Sequence, residues 1–330
     1  IRTYVYIYYS YVSPSGVVSY LNGELKDLPP DIYIGNTGKN EMGGISCLDI
    51  DGDGANELIV PSFVKIGSAR NVQFHLFWQN GTESIISEYI SGIHNSMPTY
   101  TIGDVDNDGK DDIVYAECIG NNGGNVVFNI LRHNPNYNGT NALVTKESYS
   151  SPNSLYPLHL FVRDMNNNGI NDIFSVTTNG HTVFWNQGRG TGAISFREQS
   201  STSCSIDATP YILRTGDFNG DGLMDMLINN AGSNWWQFHL NNGNGTFSTH
   251  TACSLDIYEM LLMDKDNDKF CCSVLDFDCD GRSDVVITKA TYTTGGSFIK
   301  TDTYWMRSTG IALEQVYHSV SNNEDDALAN

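Results

Sequence analysis

Basic residues are scarce in this 330-residue chain: 18 Lys and Arg stand against 38 Asp and Glu, a formal charge of −20, although charged residues make up only 17% of the sequence. Nucleic-acid binding needs a basic face and an anionic membrane surface attracts one, so both partner classes are excluded and cations become the natural ones. Long apolar runs are missing as well. The greasiest stretch, Tyr4 to Val12, is short and rich in tyrosine, far below the roughly 18 residues of a membrane span. Seven cysteines (Cys47, Cys118, Cys204, Cys253, Cys271, Cys272, Cys279) form neither a C-x-x-C pair nor a zinc spacing, which leaves disulfides or buried thiols, with one over. No G-x-S-x-G, H-E-x-x-H or phosphate-cradling glycine loop occurs. Proline is sparse, 9 against 32 glycines, and with 18 tyrosines and many asparagines this is the composition of a turn-rich β protein.

One nine-residue pattern returns five times: DIDGDGANE at Asp49, DVDNDGKDD at Asp104, DMNNNGIND at Asp164, DFNGDGLMD at Asp217 and DFDCDGRSD at Asp276, with starts 55, 60, 53 and 59 residues apart. A short apolar or alternating stretch precedes each copy, and a β-branched run (LIV, IVY, IFSV, MLI, VVIT) follows it. A second strand ending in an Asn/Gly turn and a fourth segment complete each unit. Four short antiparallel strands at this period predict a β-propeller blade, and such sheets must pack face to face because one alone buries too little. The expected fold is therefore all-β, a single propeller domain over residues 1–330. Residues 1–42 are read as a divergent first blade, 43–318 as the five acidic-loop repeats, and 319–330 as an acidic tail or ring-closing segment. The chain holds about 5.8 such periods, so six blades are expected, with seven as the alternative.

In each loop, positions 1, 3, 5 and 9 carry carboxylate or amide oxygens and position 6 is Gly, which lets the chain wrap tightly. Hard divalent cations take such oxygens, Ca²⁺ six to eight of them, with a carbonyl at position 7 as a further ligand. An EF-hand shares the opening but needs a bidentate Glu at position 12 and a flanking helix. Position 12 here is Val60, Tyr115, Ser175, Ile228 or Ile287, and the flanks read as strands. Three loops present four carboxylates: Asp49, Asp51, Asp53 and Glu57; Asp104, Asp106, Asp108 and Asp112; Asp276, Asp278, Asp280 and Asp284. The fourth site has Asp217, Asn219, Asp221 and Asp225, and the third Asp164, Asn166, Asn168 and Asp172. Four or five Ca²⁺ ions are expected, the site at Asp164 being weakest because ligand charge tunes affinity. A sixth run, Asp264, Asp266 and Asp268, has Lys269 where Gly belongs and is read as a solvated hairpin tip.

These loops, and above all GDFNGDGLMDMLINNAGSNWWQFHLNNGNGTF from Gly216 to Phe247, resemble the FG-GAP/VCBS repeat family, the blade type of integrin α-subunit propellers. The resemblance spans Gly43 to His318 and implies a calcium-stabilised propeller that is extracellular, secreted or at the cell surface. It fixes no ligand, since the family includes adhesion receptors, lectins and accessory domains of enzymes. The Phe-Gly and Gly-Ala-Pro signatures of the integrin type are absent.

Aromatics recur at the second-strand position: Trp78, Trp185, Trp235, Trp236 and Trp305, beside Phe74, Phe128, Phe184 and Phe238. Blade-to-blade packing explains most of them. Adjacent Trp235 and Trp236 point to opposite faces, so this pair is the expected glycan contact. Asn80, Asn138 and Asn244 each open an Asn-Gly-Thr triplet, a glycosylation acceptor as well as a hairpin turn. The expected role is non-catalytic recognition or adhesion, with a glycan or an extracellular protein as partner. Two alternatives stand beside it: a structural glycoprotein subunit that self-assembles, and the scaffold of a lyase-like carbohydrate-active enzyme.

Overall fold

The computed structural model describes residues 4–7, 10–12, 18–20, 24–27, 46–66, 69–89, 98–118, 126–137, 143–151, 156–177, 180–188, 193–201, 210–230, 236–252, 269–292 and 298–322. The protein is all-β, a β-propeller of four-stranded blades. Its regular elements among these residues are strands. Five four-stranded sheets follow one another, each a simple meander in chain order. Blade one holds β5 (Ser46–Leu48), β6 (Glu57–Ile66), β7 (Ala69–Phe77) and β8 (Glu83–Tyr89); blade two β9 (Tyr100–Gly103), β10 (Asp112–Cys118), β11 (Val126–His133) and β12 (Val144–Ser151). Blade three holds β13 (His159–Arg163), β14 (Asp172–Thr177), β15 (Gly180–Asn186) and β16 (Phe196–Ser201); blade four β17 (Pro210–Gly216), β18 (Asp225–Asn230), β19 (Trp236–Asn241) and β20 (Phe247–Thr251). Blade five holds β21 (Lys269–Leu275), β22 (Asp284–Tyr292), β23 (Phe298–Ser308) and β24 (Leu313–Asn322).

The expected six or seven blades are corrected to five. Among the described residues four strands precede the first acidic loop, β1 (Tyr4–Ile7), β2 (Ser10–Val12), β3 (Val18–Tyr20) and β4 (Glu24–Asp27), but there β1 pairs only with β4 and β2 only with β3. Their residues have strand composition, yet nested two-stranded ladders of three or four residues are not a meander, and the acidic hairpin that opens every other blade is missing. Residues 319–322 extend β24 and so belong to blade five, while 323–330 and the Asp264 run lie outside the described residues.

Each blade grades from apolar inner strands to polar outer ones. In blade three, β14 and β15 (DIFSVT, GHTVFWN) are buried at every position, as strands covered on both faces must be. Outer strands such as β8 (ESIISEY) and β12 (VTKESYSS) alternate with solvent. Two compact units are distinguished, one of Ile1–Val162 with Asn186–Phe196, the other of Arg163–Trp185 with Arg197–Asn330. Within the first, Leu48, Ile59, Phe74 and Leu76 pack with Ile113, Tyr115 and Leu131. The Phe74 ring lies 5.7 Å from Tyr100 and 6.0 Å from Tyr115. Within the second, Phe218, Leu227, Trp236 and Phe238 pack with Cys272, Val285, Ile287, Tyr304 and Met306. Sheets pack closely enough that a Cβ on Gly216, at the end of β17, would lie 2.7 Å from Ser283.

Burial keeps His159, His181 and His239 neutral. Desolvation lowers His159 and His239 to about 4 from an ordinary 6.5, with the neighbouring His181, itself lowered by burial, adding repulsion at His239. The unfolded chain binds these protons first, so each histidine costs stability as pH falls from 6.5 toward 4. Replacing His239 by Gln is expected to flatten the dependence of unfolding free energy on pH in that window, by up to about 1.4 kcal/mol per pH unit. Urea midpoints at pH 7, 6 and 5 measure it.

Candidate metal centre

Each acidic loop connects the first and second strands of its blade, and position 9 is in every case the first residue of the second strand: Glu57, Asp112, Asp172, Asp225 and Asp284. In blades one, two, four and five the position-9 residue is registered against the last residue of the first strand, Leu48, Gly103, Gly216 and Leu275. All five position-9 side chains are buried, none more than 2% exposed. Each accepts the N–H of position 2, from Ile50, Val105, Met165, Phe218 and Phe277, at 2.9 to 3.2 Å. Asp225 and Asp284 also accept the N–H of the residue ending the third strand, Asn241 at 2.7 Å and Ser308 at 2.8 Å.

The exposed part of the loop is equally regular. The position-1 carboxylate accepts the position-6 glycine N–H at 2.6 to 3.0 Å in all five copies. The position-5 oxygen accepts the position-7 N–H at 2.8 to 3.0 Å. Position 6 has φ between 82° and 87°, the left-handed region that glycine tolerates. Sequence reading missed a second such position. Position 4 is also left-handed, at Gly52, Asn107, Asn167, Gly220 and Cys279. Glycine and asparagine in four of the five copies were the available signal.

Carboxylate oxygens from Asp49, Asp51 and Asp53, from Asp104, Asp106 and Asp108, and from Asp276, Asp278 and Asp284 come within 4.8 Å of one another. Among the described residues, no such grouping forms in the loops at Asp164 and Asp217. In the latter, the amide of Asn219 donates to Asp221 at 2.8 Å. Asp280 is drawn out of the fifth group by the guanidinium of Arg282, and Asp106 is held by Arg132 at 2.9 Å. Burial, reinforced by the neighbouring loop carboxylates, raises Glu57 to about 7, Asp112 to about 8 and Asp225 to about 7, and lifts Asp284 and Asp108.

The donor set suits a hard divalent cation, and one comparison between loops separates charge from turn geometry. In the third loop Asn166 and Asn168 accept the position-5 and position-7 N–H groups at 3.2 and 2.8 Å. Asp51 and Asp53 accept the same groups at 3.1 and 2.8 Å. The turn therefore needs an oxygen and not a charge. Each like-charged pair at such separations costs about 3 kcal/mol at an effective dielectric near 20, less where solvent screens it.

The FG-GAP-like repeat profile matches the chain four times in overlapping register, at residues 49–115, 104–174, 164–228 and 217–287. The chain belongs to the FG-GAP-like repeat family. Each FG-GAP-like match runs from the start of one acidic loop into the strand beyond the next. Among curated proteins none matches. A solved structure of an Agrocybe aegerita lectin, described as recognising non-reducing terminal N-acetylglucosamine, is 15% identical with a TM-score of 0.47, over 85% of this chain and 80% of that one. A Tc holotoxin pore from Photorhabdus luminescens is 14% identical with a TM-score of 0.40; the match takes in 93% of this chain and 14% of that one.

The other expected sites fall as follows. Trp236 is 1% exposed, in the core against Phe218 and Phe238, so its ring has no face for a sugar; Trp235 lies outside the described residues. Trp185, Phe74, Phe128, Phe184 and Phe238 are buried too, as blade packing requires. Asn80 and Asn244 are exposed in identical turns, each accepting the N–H and hydroxyl of the Thr two residues on; Asn138 lies outside. Cys47, Cys271, Cys272 and Cys279 are free thiols, while Cys204 and Cys253 lie outside. Ser62, His75 and Glu83 form the sequence hydroxyl, imidazole, carboxylate at 3.3 and 2.7 Å. Ser62 and His75 are both 0% exposed, so no substrate carbonyl reaches the hydroxyl and the chain of bonds is structural.

Two outcomes test this geometry. Asp225→Ala strands two buried N–H groups and is expected to cost about 2 to 4 kcal/mol in urea unfolding even with EGTA present, whereas Asp221→Ala, at exposed position 5, costs about 0.5 kcal/mol or less there. Cys279→Gly relieves a left-handed non-glycine residue and is expected to stabilise by about 1 kcal/mol in the same assay.

Proposed function

We propose that this FG-GAP-like protein is an extracellular Ca²⁺-binding propeller that acts as a non-catalytic recognition module for glycan or protein ligands. One observation carries the calcium reading: the third loop makes its turn with neutral amides, so the clustered carboxylates of the first, second and fifth loops add charge that the turn does not need and that Arg132 and Arg282 offset at only two positions. Asp49, Asp51, Asp53 and Glu57 would hold one ion, Asp104, Asp106, Asp108 and Asp112 a second, and Asp276, Asp278, Asp280 and Asp284 a third. Asp217, Asp221 and Asp225 with the oxygen of Asn219 make a fourth site. The set of Asp164, Asn166, Asn168 and Asp172 is the weakest, giving four or five ions in all. Exposed Asn80 and Asn244 suit glycan attachment on a secreted chain.

A structural, self-assembling subunit is the second reading, and a specific surface favours it. On the last two strands, Ile299, Val316 and Tyr317 are 44 to 59% exposed, apolar side chains on the outer part of blade five.

Removal of calcium tests the proposal. EGTA is expected to lower the melting temperature by several degrees relative to millimolar free Ca²⁺, since a ligand of the folded state must stabilise it. An unchanged melting curve removes the calcium reading. In calcium, binding on a glycan array supports recognition. Absence of binding together with a sedimentation coefficient that grows with concentration supports the structural subunit.

A further inference from the structure

We propose that calcium uptake is coupled between adjacent loops, the first with the second and the fourth with the fifth, through side chains at positions 7 and 8 that are not themselves ligands. The inference rests on the calcium reading above and adds to it a route by which one site reports on the next.

The first pair shows the clamp most fully. Asp111, at position 8 of the second loop, donates its N–H to the carbonyl of Asp49 at 2.8 Å and accepts the N–H of Asp49 on its carboxylate at 3.0 Å. Lys110, at position 7, donates from Nζ to the carbonyl of Asp51 at 2.6 Å. Its stem crosses Gly52 so closely that a Cβ there would lie 3.0 Å from Lys110 Cγ. Positions 1, 3 and 4 of the first loop are thus gripped by two consecutive residues of the second. Lys110 is itself set by the second loop's acids, since its N–H is bonded to Asp108 at 3.0 Å.

The same device recurs in the other compact unit with different side chains. Ser283 donates its N–H to the Asp217 carbonyl at 2.6 Å, and its hydroxyl oxygen accepts the Asp217 N–H at 3.0 Å. Arg282 takes the place of Lys110: its stem would lie 3.2 Å from a Cβ on Gly220, and its N–H is bonded to Asp280 at 2.9 Å. A second strut runs beneath. Asp284 accepts the Ser308 N–H at 2.8 Å, and the Ser308 hydroxyl donates to the carbonyl of Phe218 at 2.6 Å, at position 2 of the fourth loop.

An ion that orders one loop fixes its positions 7 and 8, and these hold the backbone that carries the neighbouring ligands. The second ion then meets a loop already ordered and loses less conformational entropy, which is positive coupling without any change of shape. Coupling of this kind is reciprocal between the two sites.

Calcium titration of the whole chain by calorimetry at 0.15 M salt tests it. Asp104→Asn combined with Asp108→Asn is expected to weaken the first loop at least about fivefold as well as removing the second. Asp51→Asn combined with Asp53→Asn is expected to weaken the second loop by a similar factor. Lys110→Met with Asp111→Ala keeps all 20 ligand positions and is expected to leave the number of ions unchanged while lowering the Hill coefficient toward 1. Ser283→Ala, the loss of one oxygen, does the same for the fourth and fifth loops and serves if the double variants fail to fold. Loss of a single ion with its neighbour's affinity unchanged, or clamp variants that titrate as the parent does, overturns the coupling alone. A parent chain that takes up no calcium overturns the coupling and the calcium reading together.

Discussion

The bond on which the structure depends joins the buried position-9 carboxylate to the N–H of position 2. Position 2 carries a large apolar side chain, and Ile50, Val105, Met165 and Phe218 are 0% exposed. A backbone N–H that follows its side chain into the interior loses water, and leaving it unpaired would cost about 1 to 3 kcal/mol. The position-9 oxygen supplies the partner. It also stands at the first residue of the second strand, so the same bond ends the loop and starts the pairing. An acid at this position is therefore architectural first.

The carbonyl beside that N–H makes the joint between sheets. Within one compact unit the Asn186 amide donates to the carbonyl of Val105 at 2.6 Å. Within the other, the Asn241 amide donates to that of Met165 at 2.9 Å and the Ser308 hydroxyl to that of Phe218 at 2.6 Å. The donor in each case ends the third strand of the following blade. Two of these donors, Asn241 and Ser308, offer their own N–H to their blade's position-9 acid. One short polar side chain at a strand end thus ties a hairpin of its own blade to the hairpin before it, using groups that the loop would otherwise leave unpaired. Hydrophobic packing supplies most of the adhesion between blades, while these bonds set the register in which it occurs.

Much of this was legible in the chain. The acidic loops and the β-branched runs after them lie at fixed offsets because each loop is the turn between two strands, and the runs read as strands because they are buried on both faces. The blade count was not legible. Tyr4 to Tyr20 has the same composition as a strand pair inside a blade, and only the pairing of β1 with β4 and of β2 with β3 separates a nested hairpin from a meander. The left-handed position 4 was half visible, since Cys279 breaks a pattern that Gly52, Asn107, Asn167 and Gly220 make. Trp236 looked available for a ligand because strand alternation gives two faces. In a blade covered on both sides neither face is free, and alternation alone does not say how many sides are covered.

Of the 38 acids, 17 stand at positions 1, 3, 5 and 9 of the loops, and they divide by task. Those at position 9 satisfy buried N–H groups, and those at position 1 cap the glycine turn, so a neutral loop would lack acceptors there. Those at positions 3 and 5 are different. Asn166 and Asn168 make the same bonds without charge, so the aspartates at 51, 53, 106, 108, 221, 278 and 280 contribute repulsion that the turn does not require. Arg132 and Arg282 each neutralise one of the seven, Asp106 and Asp280. The remaining five are the charges for which the fold itself gives no account, and they sit where a hard cation would meet backbone already turned to receive it.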